Sequence, residues 1–154
     1  MAYWLMKTEP DAFSLQDLQQ RGQEPWDGIR NYQARNFLRS MQIGDGVFIY
    51  HSRVPVPGIV GTAEVASTAH PDPTQFDPQS KYYDPASRLD QPRWDLVDVA
   101  YRQTFAHNIA LDSLRAMPEF SDSLLVRKGN RLSILPITAG QWNHILHWVG
   151  STDA

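Results

Sequence analysis

The sequence predicts an α+β fold, a small β-barrel with flanking helices. Short apolar or alternating runs, mostly joined by hairpins, supply the strands. At least two helices show an apolar stripe at i, i+3, i+4 and i+7. One hairpin strand carries Gly61 and Ala63, small residues that suit tight curvature or a close neighbour. At 154 residues the chain fits one domain with a core of its own.

Taken in order, Tyr3 to Lys7 is a strand hydrophobic on both faces and therefore central. Ser14 caps a helix with Asp17 three residues on; Leu15 and Leu18 form its buried stripe and Gly22 ends it. Trp26 to Arg30 is a loop. Asn31 caps a second helix that runs to about Met41, with Ala34, Phe37, Leu38 and Met41 toward the core. Tyr32, Arg35, Asn36 and Arg39 share its outer face. Gly44-Asp45-Gly46 is a turn rather than a phosphate loop, because the helix precedes it.

The strand Val47 to His51 follows, then a Pro-Val-Pro connection and a strand from Gly58 to Ala66. Alternation there puts Ile59, Gly61, Ala63 and Val65 on one side. His70 to Pro92 is a polar segment with five prolines and the aromatics Phe76, Tyr82 and Tyr83. Structureless loops of that length are functional or disordered, and the aromatics argue for function. Arg93 to Phe105 reads as a long strand, Leu111 to Met117 and Ser121 to Val126 as short helices, and Arg131 to Pro136 as the last strand. Thr138 caps a closing helix whose stripe is Trp142, Ile145, Leu146 and Val149. Trp94 is expected to anchor the sheet core.

Composition narrows the function classes. The apolar fraction of 42% and charged fraction of 20% are those of a globular domain. Cysteine is absent, which removes disulfides, thiolate metal sites and a cysteine nucleophile. No apolar stretch approaches the roughly 18 residues of a membrane span. The start MAYWLMKTEPD lacks the features of a signal peptide, so a cytoplasmic protein is expected. A net charge of −3 argues against a sequence-blind nucleic-acid coat. Charge is unevenly spread, however. No carboxylate lies between Asp27 and Asp45, where Arg30, Arg35 and Arg39 fall, and eleven of the fourteen basic residues are arginine. Arginine suits bidentate phosphate contacts and stacking.

The most informative stretch is RNYQARNFLRSMQIGDGVFIYHS, from Arg30 to Ser52, with Trp26 just upstream in a Pro-Trp-Asp-Gly loop. Aromatic, imidazole and hydroxyl groups beside arginines suit a pocket for a flat polar ring on an anionic polymer. A nucleobase is the obvious ligand.

Five blocks in order, YWLMKTEPDAFS, WDGIRNYQARNFLRSMQIGDGVFIYHS, GIVGTAEV, PRWDLVDV and RKGNRLSILPIT, resemble the EVE domain. That family has a PUA-like fold related to the YTH readers of N6-methyladenine. The resemblance spans roughly Ala2 to Val149 and implies a single PUA-like domain over residues 1–154. It further implies a modified base held in an aromatic-walled pocket, in DNA or RNA. The oligomeric state stays open.

By resemblance to the YTH readers, Trp26 matches the tryptophan that closes the early side of the pocket. Indole is often largely buried, but Asp27-Gly28 directly after it marks a turn near the surface. Tyr82 or Tyr83 is expected to form the second wall, with Phe76 a third candidate. Stacking contributes about 1–3 kcal/mol per base and offsets extrusion from the helix. Lys7, Thr8 and Glu9 leave the first strand where the related readers place pocket residues. Glu9 would accept from the exocyclic amine of cytosine, which favours a cytosine derivative. Asn31 serves as base contact or helix cap. Tyr50, His51 and Ser52 reach the pocket mouth. Arg30, Arg35 and Arg53 would clamp phosphates, with Arg127, Lys128 and Arg131 as a second contact or simply a charged turn.

No cofactor or metal is implied. His144 and His147 have two-ligand spacing but lack a third ligand and read as surface histidines. No Ser-His-Asp arrangement makes a nucleophile motif. The rival class is an enzyme: PUA-like proteins of the ASCH type include amidohydrolases that use Lys, Thr and Glu, so Lys7, Thr8 and Glu9 could act on an N-acylated nucleoside. Their contiguity on one segment argues against it, since nucleophile and base normally converge from different elements. The expected function is a non-enzymatic reader.

Overall fold

The apolar run at the start forms strand β1 (Tyr3–Thr8) in the computed structural model, which describes residues 1–153. Strand β1 pairs parallel with β3 (Gly46–His51) on one side and antiparallel with β8 (Ile134–Ile137) on the other. Pairing on both edges explains its continuous hydrophobicity. The sheet runs β2 (Gln23–Pro25), β7 (Asp98–Ala110), β4 (Gly58–Val65), β3, β1, β8. Its end strands β2 and β8 do not pair with each other, so the mixed sheet curls into a half-barrel instead of closing. A separate two-stranded piece joins β5 (His70–Pro71) to β6 (Asp95–Leu96).

Four helices, α1 (Leu15–Arg21), α2 (Tyr32–Ser40), α3 (Leu111–Arg115) and α4 (Ala139–Asp153), accompany the sheet. Successive residues of the central strands feed opposite sides. Met6 and Ile49 join Leu15, Leu18, Ala34 and Leu38 of α1 and α2. Leu5 and Phe48 join Leu114, Phe120, Ile145 and Val149 on the other face.

Strand β4 breaks its expected alternation. Gly61, Ala63 and Val65 keep one side, but Ile59 lies in the opposite cluster, with Phe48 and Tyr50. The cause is a bulge: Ile59 pairs with Tyr50 and Gly61 with Ile49, leaving Val60 as the extra residue. The close neighbour expected at Gly61 is real, since a Cβ there would fall 2.2 Å from the Gln103 carbonyl oxygen of β7.

The helix starts follow the sequence signals. Ser14 Oγ accepts from the Asp17 N–H and Asp17 accepts from the Ser14 N–H. Asn31 Oδ1 accepts from the Ala34 N–H. Thr138 and Gln141 exchange the same reciprocal pair at α4. Asp45, buried in the Gly-Asp-Gly turn, accepts from the Ala2 and Gln42 N–H groups and from Trp4 Nε1. That turn is therefore a structural knot.

Elsewhere the structure corrects the sequence reading. Residues 121–126 form turns, not a helix, because Ser123 Oγ captures the Leu125 N–H that a helix would use. The strand expected from Arg93 is divided into β6 and β7 and continues to Ala110. Strand β8 begins only at Ile134. His144 and His147 are accessible as expected, and His144 sits 3.4 Å from Glu119.

Candidate base-binding pocket

A cavity of about 350 Å³ opens where the end of β1, the loop after β2 and the Pro-rich segment meet. Lys7 and Thr8 line it from β1 and Glu9 from just beyond it, Trp26, Asp27, Gly28 and Ile29 from the loop, and Lys81 and Tyr82 from the Pro-rich segment. Ala12, Phe13, Glu24, Pro25 and Ser133 complete it. Its size lies within the range of about 300–1,000 Å³ typical of small-ligand sites.

Trp26 has two environments. It is 8% exposed and belongs to the α1–α2 side of the core, yet it also lines the cavity. Its backbone N–H donates to the Val97 carbonyl, and Phe13 meets its ring edge-on at 5.9 Å and 86°. A ring fixed this way is preorganised for stacking and loses little entropy on contact.

Tyr82 is the aromatic that the Pro-rich segment delivers. Tyr83 and Phe76 instead line a different hollow with Gln75 and Asp84. Arg30 holds Tyr82 in place. Its Nε and Nη2 donate to the Tyr82 carbonyl at 3.0 and 2.8 Å, Nη2 to Thr74 Oγ1, and Nη1 to Asp72 Oδ2 and the Ile29 carbonyl. All five guanidinium donors are thereby used. Arg30 is therefore not a phosphate clamp; its charge is spent inside the protein on the fully buried Asp72.

Asp72 also accepts from the Gly28 and Thr74 N–H groups. Burial alone would raise its carboxyl, but the hydrogen bonds from Thr74, Gly28 and Arg30 outweigh burial and hold it below the usual range. One carboxylate thus ties the Trp26 loop to the Pro-rich segment.

A column of alternating cations and rings extends the same anchorage. Arg35 lies over Tyr32 at 4.7 Å, Tyr32 stacks on Trp94 at 4.8 Å, and Arg30 contacts Trp94 and Tyr82 at 5.5 Å each. Lys81 closes it, 5.0 Å over Tyr82. Trp94 Nε1 donates to Asp84 at 2.7 Å. Trp94 therefore anchors the Pro-rich segment to α2 and belongs to neither main cluster.

The polar lining is unevenly committed. Burial pushes the Lys7 ammonium below its ordinary value; no carboxylate pairs with it among the described residues, and it lies 5.5 Å over the Tyr50 ring. Thr8 Oγ1 donates to the Phe13 carbonyl at 2.6 Å. Glu9 pairs with Arg53 at 2.9 Å. Arg53 is the single non-glycine residue with positive φ among the described residues.

Five expected base contacts lie off the cavity. Asn31 is spent on its helix cap. Tyr50 is 3% exposed in the second cluster and does not line the cavity, although it pairs in register with Lys7. His51 Nε2 accepts the Leu15 N–H of α1, and burial lowers its pKa. Ser52 donates its N–H to the Thr8 carbonyl. Tyr83 turns away because Tyr82, its neighbour, turns in. Conversely, Phe13, Asp27 and Lys81 were missed. The Pro-Trp-Asp-Gly loop held the signal for Asp27, and Phe13 stood directly before a capping serine.

Of the remaining expected phosphate contacts, Arg35 donates to the Arg93 carbonyl and lines a separate groove with Arg39, Arg88 and Arg93. Arg53, Arg127, Lys128 and Arg131 are exposed. The last three precede Ser133, whose carbonyl accepts the Lys7 N–H at the cavity.

Comparison with known proteins places this geometry. The EVE domain family model matches residues 2–148. Thymocyte nuclear protein 1 of Rattus norvegicus is 40% identical, over 94% of this chain and 72% of that protein. A Pseudomonas syringae crystal structure superposes with a TM-score of 0.92 at 47% identity, covering 96% of this chain and 99% of the other. The human thymocyte nuclear protein 1, solved in complex with DNA containing 5-methylcytosine, gives 0.89 at 36% identity, covering 97% and 98%. A Zygosaccharomyces rouxii YTH domain shares the fold alone, with a TM-score of 0.54 at 12% identity over 96% of this chain and 86% of that one. With a family match over nearly its whole length and the same fold in each relative, the chain belongs to the EVE domain family.

Proposed function

We propose that this protein is a non-enzymatic reader of a modified nucleobase, most simply a cytosine derivative, taken from DNA or RNA into the Trp26–Tyr82 cavity. The observation that carries the reading is one cavity walled by Trp26, Phe13 and Tyr82 and furnished with Lys7 and Asp27. An extruded base needs replacement stacking and edge contacts, and this lining offers both. The 5-methylcytosine DNA bound by the human relative supports the choice of a cytosine derivative. Exposed Arg127 and Lys128 would supply phosphate contacts without making the acidic chain a general nucleic-acid binder.

The hydrolase alternative draws on Lys7, whose lowered pKa suits a base. Against it, the Thr8 hydroxyl is committed to the Phe13 carbonyl and Glu9 to Arg53.

The test is a binding screen of oligonucleotides that differ by one modified base. Wild-type protein should prefer a modified strand, and Tyr82→Ala should lose that preference while remaining folded. Trp26→Ala should lose it too, at a stability cost of about 3–5 kcal/mol for emptying a buried indole site. Equal binding of modified and plain strands by wild type would sink the reading. Release of the acyl group from N4-acylated cytidine would replace it with the enzyme.

A further inference from the structure

We infer that Asp27, rather than Glu9, reads the base and restricts the cavity to rings that carry an exocyclic amine. The inference rests on the reader function proposed above and names the group that sets its specificity. Three carboxylates line the cavity: Glu9, Glu24 and Asp27. Arg53 takes Glu9, and Arg21 takes Glu24 through both oxygens at 2.9 and 3.0 Å. Asp27 has no ion pair and receives no hydrogen bond from another residue among those described. It stands between Trp26, the stacking wall, and Gly28, against which Tyr82 packs. A ring held by Trp26 and Tyr82 therefore brings its edge to the one uncommitted carboxylate.

The electrostatics favour a donor there. Asp27 keeps solvent access, yet desolvation of its inner side, with the like charges of Asp72 and Glu24, raises its carboxyl above the ordinary range against the pull of Arg30. A ligand N–H would relieve that unfavourable field. Lys7 lines the cavity from β1 and Asp27 from the loop after β2, so a donor and an acceptor come from different elements. Cytosine carries an amine donor at C4 and a carbonyl acceptor at C2, a polarity that Asp27 and Lys7 match. Thymine has the shape and methyl group of 5-methylcytosine but places an oxygen at C4, facing the carboxylate. Two acceptors then meet at the carboxylate, and a mismatch of that kind is disfavoured.

Single-stranded oligonucleotides that differ only in one 5-methylcytosine or thymine provide the test. Wild type should favour 5-methylcytosine by about tenfold or more. Asp27→Asn should bring the ratio within about twofold, partly by gaining affinity for thymine, because an amide also donates to the C4 oxygen. Glu9→Gln, which removes a carboxylate already paired with Arg53, should shift the ratio less than Asp27→Asn does. A tenfold preference retained in Asp27→Asn would overturn the role of Asp27 while the pocket stands. If wild type shows no preference and Tyr82→Ala changes nothing, the pocket itself is wrong and Asp27 falls with it.

Discussion

The hydroxyl end of the Tyr82 ring occupies the space where a side chain at Gly28 would begin: a Cβ on Gly28 falls 2.5 Å from Tyr82 Cζ. Gly28 also has φ +83, a left-handed conformation that L side chains rarely adopt. Backbone and ring thus define each other on the rim of the cavity.

Gly28→Ala is accordingly expected to combine backbone strain with displacement of Tyr82. A destabilisation of about 2 kcal/mol in chemical unfolding should accompany weaker binding of the modified strand. Unchanged stability and affinity would show that Tyr82 does not rest on Gly28 in solution.

The Arg30–Asp72 pair makes a second prediction, separating structural from phosphate-binding arginine. Asp72→Asn leaves the Arg30 guanidinium partly buried without its counter-charge, and should cost about 3 kcal/mol. Arg30→Lys keeps the charge but loses the five-donor fork, so it too should destabilise. The salt dependence of nucleic-acid binding should not change for Arg30→Gln, which removes the charge. For Lys128→Ala the slope of log K against log salt should flatten by about 0.7–0.9, one phosphate contact. A comparable flattening for Arg30→Ala would return Arg30 to the phosphate set.

His51 gives a pH dependence with a defined sign. Its Nε2 accepts the Leu15 N–H and burial lowers its pKa, so the folded protein favours the neutral ring. The stability this provides is complete above the ordinary histidine value of about 6.5 and falls as pH drops through the lowered folded value. Wild type should therefore melt lower at pH 5 than at pH 7.5. In His51→Gln, whose amide oxygen can accept the same N–H, that difference should shrink. An equal pH dependence in both proteins would remove His51 as its source.

Much of the fold was legible because it rests on local rules. The caps at Ser14, Asn31 and Thr138 satisfy helix N–H groups within three residues, so their partners are adjacent in sequence. The residues 121–126 misled for the same reason: an apolar spacing suggested a helix, while a serine hydroxyl offered the backbone another partner. The Ile59 side was unreadable because a bulge is decided by the pairing of β3 with β4, not by β4 alone.

The candidate site divides in the same way. Trp26 in its turn, Lys7 to Glu9 at a strand end, and the aromatic content of the Pro-rich segment are sequence facts, and together they pointed to one ligand class. Which aromatic turns inward was set by the hydrogen bonds of Arg30 to the Tyr82 carbonyl, formed across more than fifty residues. Whether an arginine faces phosphate or an internal carboxylate, and whether Glu9 or Asp27 is left unpaired, depends on partners that only folding brings together. By itself, then, the sequence determined the type of fold and which residue types gather near the cavity, since both follow from residue types and short spacings. The tertiary structure alone decided which of those residues remain uncommitted, because a charge or hydrogen-bonding group satisfied inside the protein has nothing left to offer a ligand.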